Sequence, residues 1–416
     1  MLLFYRLGIY IYGTFLALAS LFHPKAQQWI RGRKNWQQSL KSKIQAQEKW
    51  IWFHCASLGE FEQGRNLIED IKTEFPSYKI LLTFFSPSGF EVRKNYSYAD
   101  HVCYIPLDTP ANARQFLDIV QPRWVAFVKY ELWLNFLQEM AARKIPVILV
   151  SARVLENSPF FKSAFSELYR KAFRQMRAIF TQDESSAQLL RDFSQNPHIK
   201  VSSDTRYDRV SANRQEFQPI GSIEAFKKNR LCMVAGSTWP KGEQVLFSAL
   251  DKWLQKDDFC LILAPHEIHS SRIQQWIDKY PEMSLIFSKM DQFEDRHRIL
   301  WIDNIGMLSR LYYYADIAYV GGAWKTGLHN ILEAAVFGCP VIIGPQYEKF
   351  PEAADLIQAG GAFSIKDEGD MYQLLQTFRS KPALRAQIKL INQSFIAARA
   401  GATKEILDWC KNEQLL

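Results

Sequence analysis

The sequence predicts two successive doubly wound α/β domains with a cleft between them, preceded by one apolar helix. At 416 residues the chain is too long for a single ordinary core. Short apolar runs alternate with helical patterns from residue 50 onward, which is typical of repeated βαβ units. The stretch Leu7–Phe22 carries no charge. We therefore expect an anchoring helix over 1–22 and domains over 23–215 and 216–416.

The composition excludes disordered, collagen-like and disulfide-stapled proteins. Apolar residues make up 48% of the chain and charged residues 23%, the proportions of a folded globular protein. The six cysteines are scattered and form no C-x-x-C pair, so neither a zinc cage nor a disulfide framework is expected. This cysteine pattern is typical of a reducing compartment.

The positive charge of the chain is concentrated beside its apolar N-terminus. Residues 1–50 contain eight bases and one acid, Glu48, and so account for +7 of the net charge of +8. The remainder is close to neutral, and a nucleic-acid-binding surface is therefore not expected. The eight bases are Arg6, Lys25, Arg31, Arg33, Lys34, Lys41, Lys43 and Lys49.

An apolar run followed by bases predicts attachment to a membrane, with the downstream domains in the cytoplasm. Leu7–Phe22 is a marginal span that Leu2–Tyr5 extends if Arg6 reaches the interface. The alternatives of a spanning helix and a helix lying in the interface stay open. The basic flank opposes a signal peptide cleaved near Ala17–Ala19, and a buried helix is the remaining alternative.

The predicted strands form two series separated by a polar segment, Ser211–Phe226, which we interpret as a linker. The first series is Trp50–Cys55, Lys79–Phe85, His101–Ile105, Trp124–Val128, Val147–Val150 and Ala178–Thr181. The second series is Leu231–Ala235, Cys260–Ala264, Ser284–Phe287, Ile299–Trp301, Ile317–Val320 and Pro340–Ile343. Because doubly wound sheets bind ligands at the carboxyl ends of their strands, the residues that follow these runs are the candidates.

Two acids follow strand ends in the first half of the chain. Glu60 ends the turn Ala56–Glu60 after the first strand, and Glu131 follows the strand Trp124–Val128. A carboxylate at such a position suits general acid or base catalysis. The structural alternatives are an acid that complements a helix dipole at Glu60 and a solvated loop acid at Glu131.

Three segments follow strand ends in the second half. Gly236–Pro240 predicts a turn without the spacing of a Walker loop, and His266 suits contact with a base or a phosphate unless it is a plain loop histidine. Gly321–Glu333 runs through a glycine-rich loop into a helix expected near Asn330. Unpaired N–H groups there favour a phosphate, with Glu333 accepting hydrogen bonds from ribose. A plain loop with Asn330 as N-cap is the alternative.

With the N-terminus, these segments resemble the 3-deoxy-D-manno-octulosonic acid (Kdo) transferases of lipopolysaccharide biosynthesis. The matching segments follow the family's order across nearly the whole chain: Ala56–Glu60, Lys129–Asn135, Gly236–Gly242, Ala264–His266, Asp303–Leu308 and Val320–Pro345. The resemblance implies a GT-B fold and an enzyme at the cytoplasmic face of the inner membrane. It implies inverting transfer of Kdo from CMP-Kdo to lipid IVA, the lipid A precursor, without a cofactor or bound metal. The sequence contains no D-x-D carboxylate pair for a metal.

The resemblance also implies which residues form the site. Glu60 corresponds to the general base, and Glu131 to a second acid that assists the transition state. Arg206 would stabilise the transition state, although the family usually has a lysine there. The residues that correspond to the CMP-binding segments are Pro265, His266, Ile305, Gly306, Met307, Asn330, Ile331, Leu332 and Glu333.

Two alternatives come from other functional classes. A nucleotide-sugar epimerase shares the two-domain architecture, but it requires neither an anchor nor a basic N-terminus. A non-catalytic, membrane-tethered binding module would leave the motifs at the strand ends without a purpose.

The chain departs from the family pattern at two places, His266-Glu267 and Gly306-Met307. Both departures lie in segments that correspond to the CMP-binding segments, so they concern the individual contacts with CMP.

Overall fold

The computed structural model describes residues 1–45, 47–129 and 131–416, which divide into two compact units. The first unit contains Met1–Arg209 and Ala400–Leu416, and the second contains Val210–Arg399. The last helix packs Ile406 and Trp409 into the core of the first unit. The C-terminus therefore belongs to the first unit rather than to the predicted domain 216–416.

Each unit contains one seven-stranded parallel sheet in the described residues, which confirms the predicted α/β class. The first sheet has the order β3-β2-β1-β4-β5-β6-β7 and the second has the order β10-β11-β9-β8-β12-β13-β14. The first comprises β1 (Lys49–Cys55), β2 (Tyr78–Phe84), β3 (His101–Tyr104), β4 (Trp124–Val128), β5 (Val147–Ala152), β6 (Ala178–Thr181) and β7 (Ile199–Val201). The second comprises β8 (Leu231–Thr238), β9 (Phe259–Pro265), β10 (Ser284–Ile286), β11 (Ile299–Trp301), β12 (Ile317–Val320), β13 (Val341–Ile343) and β14 (Ala362–Ser364).

Helices connect the parallel strands, as βαβ units require. Those of the first unit are α1 (Leu2–Ala19), α2 (Pro24–Arg31), α3 (Trp36–Lys43), α4 (Leu58–Glu74), α5 (Pro87–Arg93), α6 (Pro110–Val120), α7 (Leu134–Ala142), α8 (Pro159–Lys162), α9 (Ser166–Gln175), α10 (Glu184–Ser194) and α20 (Ala402–Asn412). Helix α11 (Arg206–Gln215) crosses the boundary. The second unit has α12 (Gly221–Lys227), α13 (Pro240–Leu254), α14 (Ser270–Ile277), α15 (Leu308–Leu311), α16 (Leu332–Ala335), α17 (Pro351–Gln358), α18 (Glu368–Ser380) and α19 (Pro382–Ala397). Two 3₁₀ helices cover Phe287–Gln292 and Tyr312–Tyr314.

Strand β1 shows why the first unit folds around a central sheet. Its residues from Trp50 to Cys55 are all buried, and alternate side chains enter two different clusters. Trp52 packs with Phe127 on one face, while Phe53 packs with Trp124 on the other. A strand that is apolar on both faces must be covered on both faces, which is the arrangement that helices provide here.

Two local predictions are wrong. The segment Ser211–Phe226, interpreted as a polar linker, is largely helical. It is covered by α11 and α12, and only residues 216–220 lie between these two helices. Gly236, Ser237 and Thr238 extend strand β8 instead of forming a turn, although Ser237 adopts a positive φ of 50°.

The N-terminal helix α1 is bound to the first unit along one side. The Tyr5 hydroxyl donates to Oδ2 of Asp108 at 2.6 Å, and Nε of Arg6 donates to Oδ1 of Asn135 at 2.9 Å. Asp108 is fully buried, and the backbone N–H groups of Asn135 and Phe136 also donate to its carboxylate. Arg6 therefore contacts Asn135 in this structure, whereas the predicted span requires its side chain to reach the membrane interface.

The opposite side of α1 is apolar and exposed. Seven large side chains are each more than half exposed. On a helical projection with 100° per residue, they lie within an arc of about 140°. These residues, the apolar stripe, are Leu3, Phe4, Leu7, Tyr10, Ile11, Phe15 and Leu18. By length and composition α1 could cross a membrane, which is weak evidence for a span when it stands alone.

One of the basic residues near the N-terminus has a structural role. The Arg33 guanidinium is buried, lies 3.7 Å from the centre of the Trp29 ring, and donates to the backbone carbonyls of Trp29, Phe85 and Ile105. Burial lowers its pKa to about 9. Six other bases are exposed: Lys25, Arg31, Lys34, Lys41, Lys43 and Lys49.

Candidate functional site

Glu60 lies in the first turn of α4, directly after β1. Its Oε2 accepts hydrogen bonds from the backbone N–H groups of Ala56 and Ser57, and Ser57 and Glu60 form a capping box. Its Oε1 accepts none from the described residues. Burial raises the pKa of Glu60, while the Ala56 and Ser57 donors and the charge of Lys129 oppose that rise. One oxygen is thus fixed by the backbone, and the other remains available.

Glu131 lies after β4, the strand that pairs directly with β1. The two acids therefore share one edge of the sheet, as the sequence predicted. Burial, with a smaller contribution from the charge of Glu60, raises the pKa of Glu131 to about 7. Tyr130, part of the matched segment Lys129–Asn135, lies outside the described residues.

The loop after β4 is also tied to β1 by a contact that the sequence did not indicate. The indole N–H of Trp133 donates to Nε2 of His54 at 3.0 Å, and Nδ1 of His54 lies 2.8 Å from the Thr83 hydroxyl. Because an indole only donates, Nε2 of His54 is an acceptor and its proton is on Nδ1. Full burial lowers the pKa of His54 to about 3, so the ring is neutral.

Arg206 begins helix α11 in the first unit. Its Nε and Nη2 both donate to Oδ2 of Asp204, at 3.0 and 2.8 Å. Burial favours a higher pKa for Asp204, but the charge and hydrogen bonds of Arg206 hold it below the usual value. Gln63, one turn after Glu60 on α4, donates to the same carboxylate oxygen. Asp204 therefore links Arg206 to the helix that carries Glu60.

The segments predicted to bind CMP follow three strands of the second sheet. Pro265 ends β9 and His266 follows it, Ile305 to Met307 follow β11, and Asn330 to Glu333 follow the loop after β12. The order β11-β9-β8-β12 brings these strand ends to one edge. Ile305 is 93% exposed, and Gly306 has a φ of 94°, which favours glycine.

The glycine-rich loop after β12 is folded tightly upon itself. A Cβ on Gly321 would lie 2.0 Å from the carbonyl oxygen of Ser237, and one on Gly322 would lie 2.2 Å from that of Gly327. Several loop N–H groups already have acceptors: Gly321 donates to Gly236, Ala323 to Thr326 and His329 to Gly321. Packing therefore explains these glycines. Most of the other N–H groups of the loop have no acceptor among the described residues, so a phosphate site at this loop stays a prediction.

The predicted helix near Asn330 is only the four-residue turn α16. Ile331 and Leu332 are buried, so only their backbone is available to a ligand. Nδ2 of Asn330 donates to Oε1 of Glu333 at 3.2 Å, and Oδ1 of Asn330 accepts from the backbone N–H of Leu332. Asn330 thus holds the Glu333 carboxylate and caps this turn at the same time.

Three aromatic rings form a stack at this edge, which we call the ring stack. Trp239 lies 4.6 Å from His266, and His266 lies 4.4 Å from His329, between ring centroids. The Trp239 indole donates to Nε2 of His329 at 3.1 Å. Burial and the neighbouring His266 lower the pKa of His329 to about 4. Of these three residues only His266 was predicted as a site residue, although Trp239 and His329 both lie in matched segments.

Among residues 1–45, 47–129 and 131–416, no group of three or more His, Cys, Asp or Glu side chains is arranged to hold a metal ion.

Comparison with known families identifies relatives over most of the chain. The family model of 3-deoxy-D-manno-octulosonic-acid transferase (kdotransferase) matches residues 33–209. The chain is 25% identical to the 3-deoxy-D-manno-octulosonic acid transferase of Haemophilus influenzae, covering 87% of this chain and 86% of that protein. It is 28% identical to the transferase of Rickettsia felis, over 83% and 74% of the two chains.

Solved structures of other enzymes share the fold. UDP-GlcNAc 2-epimerase from Neisseria meningitidis has a TM-score of 0.63 at 15% identity, with 86% of this chain and 98% of that chain covered. A UDP-N-acetylglucosamine 2-epimerase from Listeria monocytogenes has a TM-score of 0.60 at 13% identity, with 88% and 96% covered. Identities this low show a common GT-B-like architecture of two α/β domains and nothing about the reaction.

Proposed function

We propose that this chain is a member of the 3-deoxy-D-manno-octulosonic acid transferase family and that it transfers Kdo from CMP-Kdo to lipid IVA. Membership makes it a glycosyltransferase of lipopolysaccharide biosynthesis. In the proposed reaction a lipid IVA hydroxyl attacks the anomeric carbon of Kdo, CMP leaves from the opposite face, and the configuration inverts. The reaction requires no metal ion. The epimerase alternative rests on likeness of fold alone.

The observation that carries the proposal is the arrangement of the Glu60 carboxylate. Two backbone N–H groups hold Oε2, so the carboxylate has a fixed orientation and Oε1 can accept the proton of the attacking hydroxyl. The same N–H groups and Lys129 oppose the rise in pKa that burial causes, which favours the ionised form that a base needs. A capping role by itself would explain the hydrogen bonds that Oε2 accepts. It would give no function to Oε1, which accepts none from the described residues.

Glu131 and Arg206 support the same step in different ways. With a pKa of about 7, Glu131 is partly protonated at neutral pH and can donate a hydrogen bond to charge that develops in the transition state. Arg206 brings positive charge to the unit that carries Glu60, although its ion pair with Asp204 reduces that charge. We assign Arg206 the weaker contribution of the two.

The second unit supplies the residues for CMP. With Nε2 of His329 occupied by Trp239, the His329 proton is on Nδ1, which makes it a neutral donor for a phosphate oxygen. His266 stacks on Trp239 and offers a second ring at the same place. The Glu333 carboxylate, held by Asn330, is the proposed acceptor for ribose hydroxyls.

The enzyme is proposed to bind the cytoplasmic face of the inner membrane through an α1 that lies in the interface. One side of α1 is fixed to the first unit by Tyr5 and Arg6, so this side is not available to lipid. The apolar stripe on the other side would enter the acyl region. The six exposed bases of residues 25–49 would attract anionic headgroups.

The decisive experiment combines the purified full-length chain with CMP-Kdo and lipid IVA. Mass spectrometry should detect lipid IVA carrying Kdo together with free CMP, and NMR should show inversion at the anomeric carbon. The reaction should proceed at full rate in EDTA. Glu60→Gln should lose most of this transfer activity. Its matched control is Glu62→Gln, which changes a neighbouring acid of α4 that is paired with Arg93.

Several outcomes would contradict the proposal. Transfer of Kdo to another acceptor but not to lipid IVA would support the assignment to the family and contradict lipid IVA as the acceptor. Loss of turnover in EDTA that Mg²⁺ restores would reject metal independence. Conversion of a nucleotide sugar to its epimer without transfer would favour the epimerase alternative.

A further inference from the structure

The second unit contains a basic pocket at the end of its sheet opposite to the predicted CMP segments. The pocket has a volume of about 520 Å³. It opens beside Lys227 and Lys228, just before β8, and beside Tyr313 and Tyr314, just before β12. The proposed CMP segments follow the carboxyl ends of the strands, whereas this pocket lies at the amino ends of two of them. It is therefore separate from the proposed nucleotide site.

The pocket is strongly basic within a unit that has no net charge. Residues 210–399 contain 21 basic and 21 acidic side chains. The pocket is lined by four of those bases, Arg214, Lys227, Lys228 and Lys389, and by one acid, Glu224. Such a local excess in a concave surface attracts anions.

The four cations differ in how far their charge is already neutralised. Lys227 is committed to the structure, since Nζ donates to Asp316 and to the carbonyl of Tyr314, both at 2.8 Å. Lys228 pairs with Asp295, whose side chain is 80% exposed. Nη1 of Arg214 donates to the carbonyl of Val336, which is uncharged. The guanidinium charge of Arg214 is therefore not neutralised by this contact.

Lys389 is the cation with the greatest freedom in the pocket. It extends from α19 near Gly338, and its ammonium has no hydrogen-bond acceptor among the residues that the structure describes. The pocket is also lined by the aromatic residues Tyr313, Tyr314 and Phe337. The Tyr313 ring is stacked on Phe217 at 4.0 Å and 21°, with Phe337 edge-on at 5.9 Å, and Tyr313 is 49% exposed.

We propose that this pocket binds an organic phosphate, with its phosphate at Arg214 and Lys389 and its apolar portion on the Tyr313 ring. A guanidinium and an ammonium together match the multiple oxygens of a phosphate. The Tyr313 ring, stacked on Phe217, offers an apolar face that a simple inorganic anion would not use. The same chemistry occurs in soluble phosphate esters and in phospholipid headgroups, and the experiment separates these two sources.

The experiment uses calorimetric titration of the full-length chain at constant ionic strength. The probes are inorganic pyrophosphate, phenyl phosphate and dihexanoyl phosphatidic acid below its micellar concentration. Arg214→Ala with Lys389→Ala should weaken binding of pyrophosphate and of the lipid at least tenfold, because charge-assisted hydrogen bonds are lost. Tyr313→Ala should weaken binding of the lipid and leave pyrophosphate unchanged. The matched control is Lys252→Ala, which removes an exposed lysine elsewhere on the same unit.

The source of the ligand follows from which probe depends on the pocket. If lipid binding requires Tyr313, the ligand is a phospholipid. If phenyl phosphate binding requires both Tyr313 and Arg214, the ligand is a soluble phosphate ester. Equal affinity of wild type and the double variant for all three probes would overturn the proposal. An equal loss in Lys252→Ala would also overturn it, because the effect would then be one of total charge.

Discussion

The indole N–H of Trp239 donates a hydrogen bond to Nε2 of His329 across 3.1 Å, although 90 residues separate them in the chain. This contact places the His329 proton on Nδ1. The low pKa of His329, about 4 because of burial and the neighbouring His266, keeps the ring neutral at physiological pH. The His329 ring is therefore neutral, with its proton on Nδ1.

Trp239→Phe tests this relationship, because phenylalanine keeps an aromatic face for His266 but cannot donate. The fraction of His329 protonated on Nε2 should rise, as ¹⁵N chemical shifts would show, and affinity for CMP should fall about five- to tenfold through the loss of roughly one hydrogen bond. The control is Trp276→Phe, which removes the indole that donates to Glu243 in the same unit. An unchanged tautomer in Trp239→Phe would contradict the assignment.

Glu60→Gln separates catalysis from helix capping. Glutamine keeps an oxygen that can accept from Ala56 and Ser57, so stability should remain within about 0.5 kcal/mol of wild type. Without a basic carboxylate, turnover should fall about 10²- to 10⁴-fold while CMP affinity stays nearly constant. Transfer rates, CMP titrations and urea unfolding on the same protein provide the measurement.

Glu60→Ala and Glu62→Gln complete that comparison. The alanine variant should lose stability as well as activity, by about 0.5–2 kcal/mol, because it removes the acceptor of the cap. Glu62→Gln should leave turnover near the wild-type value. A turnover of Glu60→Gln within threefold of wild type would remove Glu60 from the mechanism and leave it with the capping role alone.

Glu131 should make the stability of the protein depend on pH. Its pKa is raised from 4.5 to about 7, so the folded state holds this proton more tightly than the unfolded chain does. Below about pH 4.5 the carboxyl is protonated in both the folded and the unfolded state, so it does not change the free energy of unfolding. As the pH rises through 7, the free energy of unfolding falls, because the unfolded chain releases this proton more readily. Glu131→Gln should gain about 2–3 kcal/mol relative to wild type at pH 8 and nothing at pH 4.

Urea unfolding between pH 4 and pH 8 measures this effect. The control, Glu156→Gln, changes an exposed acid of the same unit and should give a curve parallel to wild type. A Glu131→Gln curve that is also parallel to wild type across the whole range would show that the burial of Glu131 does not persist in solution.

The positions of the long strands were predictable because burial on both faces requires a continuous apolar run. Trp124–Val128 and Ile317–Val320 have the predicted bounds for this reason. The strands Ile199–Val201 and Ala362–Ser364 were missed, since each is a three-residue strand at the edge of its sheet and only its first residue is buried. So short a segment carries no periodic signal.

For the candidate site, the sequence could predict only which residues follow the end of a strand. Glu60 and Glu131 could each be placed after a strand end, and the structure adds that their strands, β1 and β4, pair in parallel. Side-chain partners from distant segments could not be predicted, because they depend on the packing of whole units. The contact between Trp239 and His329 and the one between Gln63 and Asp204, 141 residues apart, belong to this class.

The two sides of α1 should be separable by mutation. Tyr5→Phe removes a donor to the buried Asp108 and should lower stability by about 1–3 kcal/mol, while membrane binding persists because the apolar stripe is intact. Phe4→Ser with Phe15→Ser should have the opposite effect, since both side chains are about two-thirds exposed. Stability should be nearly unchanged, and binding to anionic vesicles should weaken more than tenfold.

Protection from protease distinguishes a helix in the interface from one that spans. In inverted inner-membrane vesicles the cytoplasmic face is outside, so a cleavable tag placed before Met1 should be removed if α1 lies in the interface. If α1 spans, the tag is on the inside and is protected. A protected tag would also require that the contacts of Tyr5 with Asp108 and of Arg6 with Asn135 be broken in the membrane, because a spanning helix cannot keep both residues against the first unit. The stability of Tyr5→Phe in vesicles would then equal that of wild type, which is the outcome that rejects the interfacial arrangement.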